Sequence, residues 1–258
     1  MNVSILVNFY YLLVVLFSST APQKAISFCG SNENDLYKVL KKENFYIKTY
    51  MAPEDAIKNA PAGTGVFLIA DGYPEKKNFI TPEAISLAKE KKLRLYIEYP
   101  QSLAGVTIKD SVVKATLERG VITSNVFGSS LKPMSILGIN DCRVLPAQVT
   151  NPLIVLARVA GFNKAEYGID DVTTYPLLFE KDNMLVAMTK LSNFATGRYA
   201  PEDSWKTTWE YIVSRIAGTD NFHFSQWLSF VSPSYSKDFK LPANARATSI
   251  AKGTEWFY

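Results

Sequence analysis

GVFLIADGYP, residues 65–74, decides the fold of this chain. Gly65 to Ala70 is apolar at every position, without alternation, the pattern of a strand buried on both faces. Asp71-Gly72 then breaks it with turn residues. Downstream, Thr81-Pro82-Glu83 reads as the cap of a helix running to about Lys92. RLYIEYPQS, residues 94–102, follows; Leu93 to Glu98 reads as the next strand, ending on a carboxylate before Pro100. Upstream, the same rhythm holds. Ala25 to Cys29 reads as a strand, Asn34 to Asn44 as a helix with Leu36, Val39 and Leu40 on one face, and Phe45 to Tyr50 as a second strand. Pro53 to Ala60 reads as a short helix with Glu54 and Asp55 in its first turn. Strand and helix alternating in this way predict parallel βαβ units and an α/β fold.

The middle is less regular. Val121–Ser124, Ser135–Ile139 and Cys142–Leu145 read as short strands, and Pro152 to Ala160 as a longer apolar one. Tyr175–Glu180 and Met184–Leu191, joined by Lys181-Asp182-Asn183, predict a hairpin. From Ala200-Pro201 a helix begins, with Trp205, Trp209, Ile212 and Ile216 at helical spacing and Gly218 as its stop.

Composition narrows the functional classes. The chain has 258 residues, 47% hydrophobic and 20% charged, an ordinary globular balance that builds a core without staples. Its net charge of +4 is mild and its basic residues are scattered, which argues against a nucleic-acid surface. With no CxxC and a single histidine, His223, a zinc site is not expected, nor is any other metal or cofactor. Cys29 and Cys142 are the two cysteines; sequence leaves their pairing open. Aromatic residues make up 13%, and most belong to the core, as Trp205 and Trp209 do on their helix stripe.

Residues 1–24 have a different character. Ile5 to Phe17 is an uncharged apolar run followed by Ser18-Ser19-Thr20-Ala21, the form of a secretory signal peptide, although no Lys or Arg precedes it. The run is shorter than the roughly 20 residues a membrane span needs. Cleavage near Ala21 or Ala25 would give a periplasmic or extracellular protein with no stable membrane anchor. Phe28 before Cys29 argues against a lipid-anchored form.

The order of elements and three landmark positions over Ala25 to Gly218 resemble the class I glutamine amidotransferase-like fold. The resemblance implies a flavodoxin-like three-layer sandwich with a mostly parallel central sheet, a late antiparallel hairpin and a C-terminal extension over residues 219–258. At the family's oxyanion-hole turn this chain has Ala70-Asp71-Gly72-Tyr73-Pro74. At its nucleophile elbow it has Ile97-Glu98-Tyr99-Pro100-Gln101, with no cysteine. At the place of the family's histidine and glutamate, Leu191 to Glu202 contains no histidine. Amide hydrolysis through a thioester needs a thiolate and a base, so glutaminase activity is expected to be lost and no catalytic residue is assigned.

The strand-end pocket is then expected to comprise Asp71, Gly72, Tyr73, Glu98 and Tyr99, joined by Arg198 and Tyr199 from the later loop. Glu98 with Asp71 would suit glycoside acid/base chemistry at the right separation. The plainer assignment is that both carboxylates hold loop amides and helix N-termini. Phe28-Cys29-Gly30-Ser31, Asn34-Asp35-Leu36-Tyr37, Gly197-Arg198-Tyr199-Ala200-Pro201 and the tail from Leu241 to Phe257 resemble secreted bacterial proteins. In those, a degenerate amidotransferase-like domain precedes an (α/α) toroid of glycoside hydrolase type. This second resemblance implies an exported, non-catalytic accessory domain that braces the substrate cleft of a helical toroid module, with a carbohydrate ligand. The final helical stretch, Ala243 to Tyr258, is expected to pack against that module. A stand-alone hydrolase or sugar-binding protein using Asp71 and Glu98 is the alternative.

Overall fold

A computed structural model describes residues 25–139, 141–192 and 202–227. The expected signal peptide, the loop with Arg198 and Tyr199, and the tail beyond 227 lie outside the described residues.

The strands are β1 (Ala25–Cys29), β2 (Tyr46–Tyr50), β3 (Gly65–Leu68), β4 (Arg94–Glu98), β5 (Thr107–Ile108), β6 (Val113–Lys114) and β7 (Arg119–Ile122), then β8 (Ile136–Leu137), β9 (Arg143–Val144), β10 (Ala147–Gln148), β11 (Ile154–Ala157), β12 (Thr174–Lys181) and β13 (Met184–Ala187). The helices are α1 (Asp35–Lys42), α2 (Pro53–Asn59), α3 (Pro82–Glu90) and α4 (Glu202–Ala217). Nine strands form one sheet in the order β2-β1-β3-β4-β13-β12-β11-β7-β8. The first five run parallel, in the 2-1-3-4-5 order of flavodoxin-like folds if β13 is counted as the fifth. The remaining pairs are antiparallel. The fold is therefore α/β, as expected, but its antiparallel part extends well past the single hairpin. The whole segment from 99 to 183, β12 included, is inserted between two neighbouring parallel strands, β4 and β13.

Burial on both faces explains the parallel half. Right-handed crossovers that leave β1 in opposite directions put α1 on one face and α2 with α3 on the other. On the α1 face, Phe28, Phe67 and Tyr96 stand in register across β1, β3 and β4. Tyr37 of α1 meets Phe28 edge-on at 5.4 Å between ring centroids, and Trp209 of α4 meets Tyr96 at 5.3 Å. So α1 and α4 share this layer. α4 lies so close that a Cβ on Gly65 would stand 2.4 Å from the Ile216 carbonyl oxygen. Arg94, at the start of β4, donates its Nε to that same carbonyl at 2.8 Å, and Gly218 (φ 67°) ends the helix.

Several boundaries are tighter than the sequence pattern implies. β7 ends at Ile122, because Ser124 turns the chain by accepting from Val126 N as a short helical cap. The apolar run at 152–160 pairs only over Ile154–Ala157, and β13 stops at Ala187 where its parallel partner β4 ends. No disulfide joins Cys29 and Cys142; both are buried in the core.

Candidate functional site

The carboxyl ends of the parallel strands carry the site. Glu98, the last residue of β4, is fully buried. Its Oε1 accepts from Tyr96 Oη (3.0 Å), Leu191 N (3.0 Å) and Ser192 N (2.7 Å), and its Oε2 from Ser192 Oγ (2.9 Å) and Ala70 N (3.3 Å). Ser192 Oγ in turn accepts from Asn34 Nδ2 at 2.9 Å, and Asn34 Oδ1 caps α1 by accepting from Leu36 N. One carboxylate thus ties the ends of β3 and β4, the turn after β13 and the start of α1. Burial pushes its carboxyl above the usual carboxylate range; Lys190 and the Ser192 and Ala70 donors offset this in part.

Tyr99, the next residue, adopts a left-handed backbone with φ 48°. A bulky residue there is a genuine outlier, and such strain is held where packing fixes it. Two flanking bonds fix it: Tyr99 N donates to Ala187 O at 2.8 Å, and Asn78 N donates to Tyr99 O at 2.7 Å. The chain thus turns sharply just after β4, with a tyrosine at the apex. Tyr99 packs edge-to-face on Tyr73 at 4.9 Å. Tyr73 Oη is held against β9: it accepts from Arg143 N and from Thr189 Oγ1 (3.2 Å) and donates to Arg143 O (3.3 Å). Above this pair opens a cavity of about 400 Å³ lined by Pro74, Glu75, Tyr99, Val112 and Arg143.

The expected pocket residues separate into three groups. Tyr73 and Tyr99 pack together, and of the two only Tyr99 borders the cavity, from a buried position. Glu98 lies beneath them, out of solvent. Asp71 lies to the side and pairs with Lys190 at 3.8 Å, and Gly72 makes the turn in which Lys76 N donates to its carbonyl at 2.8 Å. Sequence reasoning missed Asn34, Lys190, Ser192 and Arg143. Asn34 was legible only as a helix start, and only the polar residues just after β13 signalled Lys190 and Ser192; Arg143 had no local signal.

The nucleophile chemistry is weak throughout. Burial, then the charges of Asp71, Glu54 and Asp55, push the Cys29 thiol up to about 12. His223 is exposed and meets Glu210 Oε2 at 3.2 Å, on the helix rather than at the strand ends. Among the described residues, no group of three or more His, Cys, Asp or Glu side chains is placed to hold a metal. No protein-family model matches the chain, and no curated protein matches it.

Proposed function

We propose that the chain is an exported, non-catalytic accessory domain of a carbohydrate-processing protein, one that braces or extends the substrate cleft of a helical catalytic module. The observation that carries the non-catalytic part is the state of Glu98. A general acid or base must reach a proton on its substrate, at roughly 2.6–3.2 Å or through one water. Glu98 is 0% exposed and already accepts from five donors, so it holds the site together and meets no substrate. Asp71, engaged with Lys190, has no second exposed carboxylate from Glu98 to work with. A thiol held at about 12 supplies almost no thiolate at neutral pH, which supports the loss of amidotransferase chemistry.

The carbohydrate part rests on the two resemblances and on the cavity at the strand ends, the usual ligand position in open α/β sheets. The cavity also favours a second reading, a free-standing sugar-binding protein. Incubating the full chain with a glycoside panel and with glutamine tests catalysis: neither reducing sugar nor ammonia should be released. Turnover that survives purification and disappears in Glu98→Gln would sink the accessory assignment. Export is tested by N-terminal sequencing of the secreted protein, which should begin between Pro22 and Ile26; a chain starting at Met1 contradicts it.

A further inference from the structure

We propose that the cavity between Glu75, Val112 and Arg143 is a binding site for an acidic saccharide, with Arg143 as the group that grips the sugar's oxyanion. The proposal rests on the carbohydrate assignment above and deepens it by naming the ligand class.

Size and position come first. The cavity is about 400 Å³, inside the roughly 300–1,000 Å³ of small-molecule sites, and it opens at the carboxyl ends of β3 and β4. The packing beneath it is built to stay still. Tyr99 is pinned by backbone bonds on both sides, and Tyr73 by three bonds to Arg143 and Thr189. Tyr99, 1% exposed, closes the base of the cavity without presenting a ring face, so a ligand is held from the rim, by Arg143, Val112 and Pro74.

The charge comes from Arg143. Its backbone belongs to β9, paired with β6, and its carbonyl and amide hold Tyr73. Among the described residues its guanidinium makes no ion pair, although the side chain is only half-exposed and lines the cavity. A guanidinium is always charged and presents a planar fork that matches a carboxylate or a sulfate in two parallel bonds. Glu75 also lines the cavity and works against an anion. It is exposed, so solvent screens it more than the half-buried Arg143. Both charges act on the Tyr99 phenol, Arg143 more strongly than Glu75, which places them around the same point. Val112, 43% exposed at the rim, gives the apolar edge that a sugar ring can rest against.

Two other cavities fit less well. The one beside Arg94 and Arg215 lies at the carboxyl end of α4, where the helix dipole is negative, and Arg94 is already spent on the Ile216 carbonyl. The groove of Thr123, Ser124, Asn125 and Asn151 carries neither charge nor aromatic ring.

Calorimetric titration of the full chain tests the inference with glucuronate, galacturonate, glucose 6-sulfate, glucose and inorganic sulfate. The acidic sugars should bind, with affinity falling as salt rises, while glucose and inorganic sulfate bind at least tenfold more weakly. Arg143→Gln should lose at least tenfold and Arg143→Lys should recover part of it, since the charge returns without the fork. Glu75→Gln should tighten binding about two- to fivefold. Unchanged melting in each variant separates these effects from misfolding. Binding of glucose as tight as that of glucuronate, with Arg143→Gln indifferent, overturns the acidic-sugar site and leaves the accessory domain standing. Sulfate binding alone reduces the site to a simple anion hole and overturns the saccharide. Absence of binding by either acidic sugar also overturns it. Sugar release in the same cell would instead sink the non-catalytic assignment.

Discussion

On the parallel side of the sheet, β1, β3 and β4 are sealed between the α1–α4 layer and the α2–α3 layer, and every residue of β3 is buried. On the antiparallel side, β7 and β11 meet one helix layer only. Ile122, Ile154 and Leu156 join the main core, whereas Val121, Val155 and Ala157 on the other face form a small cluster with Ala165. The segment over that second face leaves Phe162 72% and Tyr167 91% exposed. The two halves also differ in what ends their strands. Parallel strands leave backbone amides pointing past their carboxyl ends, and Glu98 gathers amides from two of the connections there. The antiparallel strands satisfy one another through turns and need no such hub. Buried polar bonding therefore concentrates at the strand ends of one half.

The comparison breaks most visibly if the hub is removed. Glu98→Ala leaves five donors unpaired in a dry site and opens a void. Stripping a buried network of its charged member costs about 3–5 kcal/mol, which for a domain of this size lowers the melting temperature by on the order of 10 °C. Ser192→Ala, removing one link to Glu98 and one to Asn34, should cost about 1–3 kcal/mol. Thermal melting of the two variants checks the order; equal small effects would show that the strand ends hold without the hub.

Helix contact is next. Gly65→Ala drives a Cβ into the α4 backbone, an unyielding neighbour at 2.4 Å, and should cost about 2–3 kcal/mol. Gly120→Ala in β7 meets the Leu137 Cβ at 3.1 Å and the Leu137 carbonyl oxygen at 3.4 Å, tight contacts but short of the Gly65 clash. The roughly 0.5–1 kcal/mol that alanine recovers over glycine in a strand should nearly cancel that crowding. Chemical denaturation of the pair measures how much tighter the helix lies on the parallel half; matching penalties would erase the distinction.

Glu98 also gives the difference a pH signature. Its folded-state pKa is raised by burial, so the stability tied to its protonated form is fully present below the unfolded value of about 4.3. It is lost as pH rises through the folded value. Glutamine does not titrate. Its amide nitrogen can bond Ser192 Oγ but leaves Ala70 N unpaired, so Glu98→Gln should cost about 1–2 kcal/mol. The melting gap between wild type and Glu98→Gln should be widest near pH 4 and narrow toward neutral pH. A gap that widens instead would mean that the donors outweigh burial.

Much of the parallel half was legible because double burial writes continuous apolar runs such as Gly65 to Ala70, and because Asn34 and Thr81 announce their helices as caps. The antiparallel half was legible in part: the runs at 121–124, 135–139 and 152–160 and the hairpin each hold an observed strand, whereas β5, β6 and β10, two residues each, are too short for periodicity to register. At the site, sequence marked Glu98 as a strand-end carboxylate. Its partners Leu191 and Ser192 lie 93 and 94 residues further on, so the hub exists only once β13 has docked beside β4. Tyr99's left-handed backbone runs against its own residue preference, and Arg143 reaches the site through β9 pairing with β6; neither leaves a local pattern.

The smallest expected effect probes the thinly covered face. Tyr167 is 91% exposed, so Tyr167→Ser removes almost no buried surface and should change stability by less than about 0.5 kcal/mol. Ile169, two residues on, packs partly against the small cluster of Val121, Val155, Ala157 and Ala165. Ile169→Ser deletes that packing and sets a hydroxyl beside apolar neighbours, and should cost about 1–2 kcal/mol, less than a full core truncation because the site already borders water. The ratio of the two measures what this segment contributes as a lid on the sheet. Should Tyr167→Ser cost as much as Ile169→Ser in denaturant titration, the ring must be covered in solution, and the face that looks open would be an occupied one.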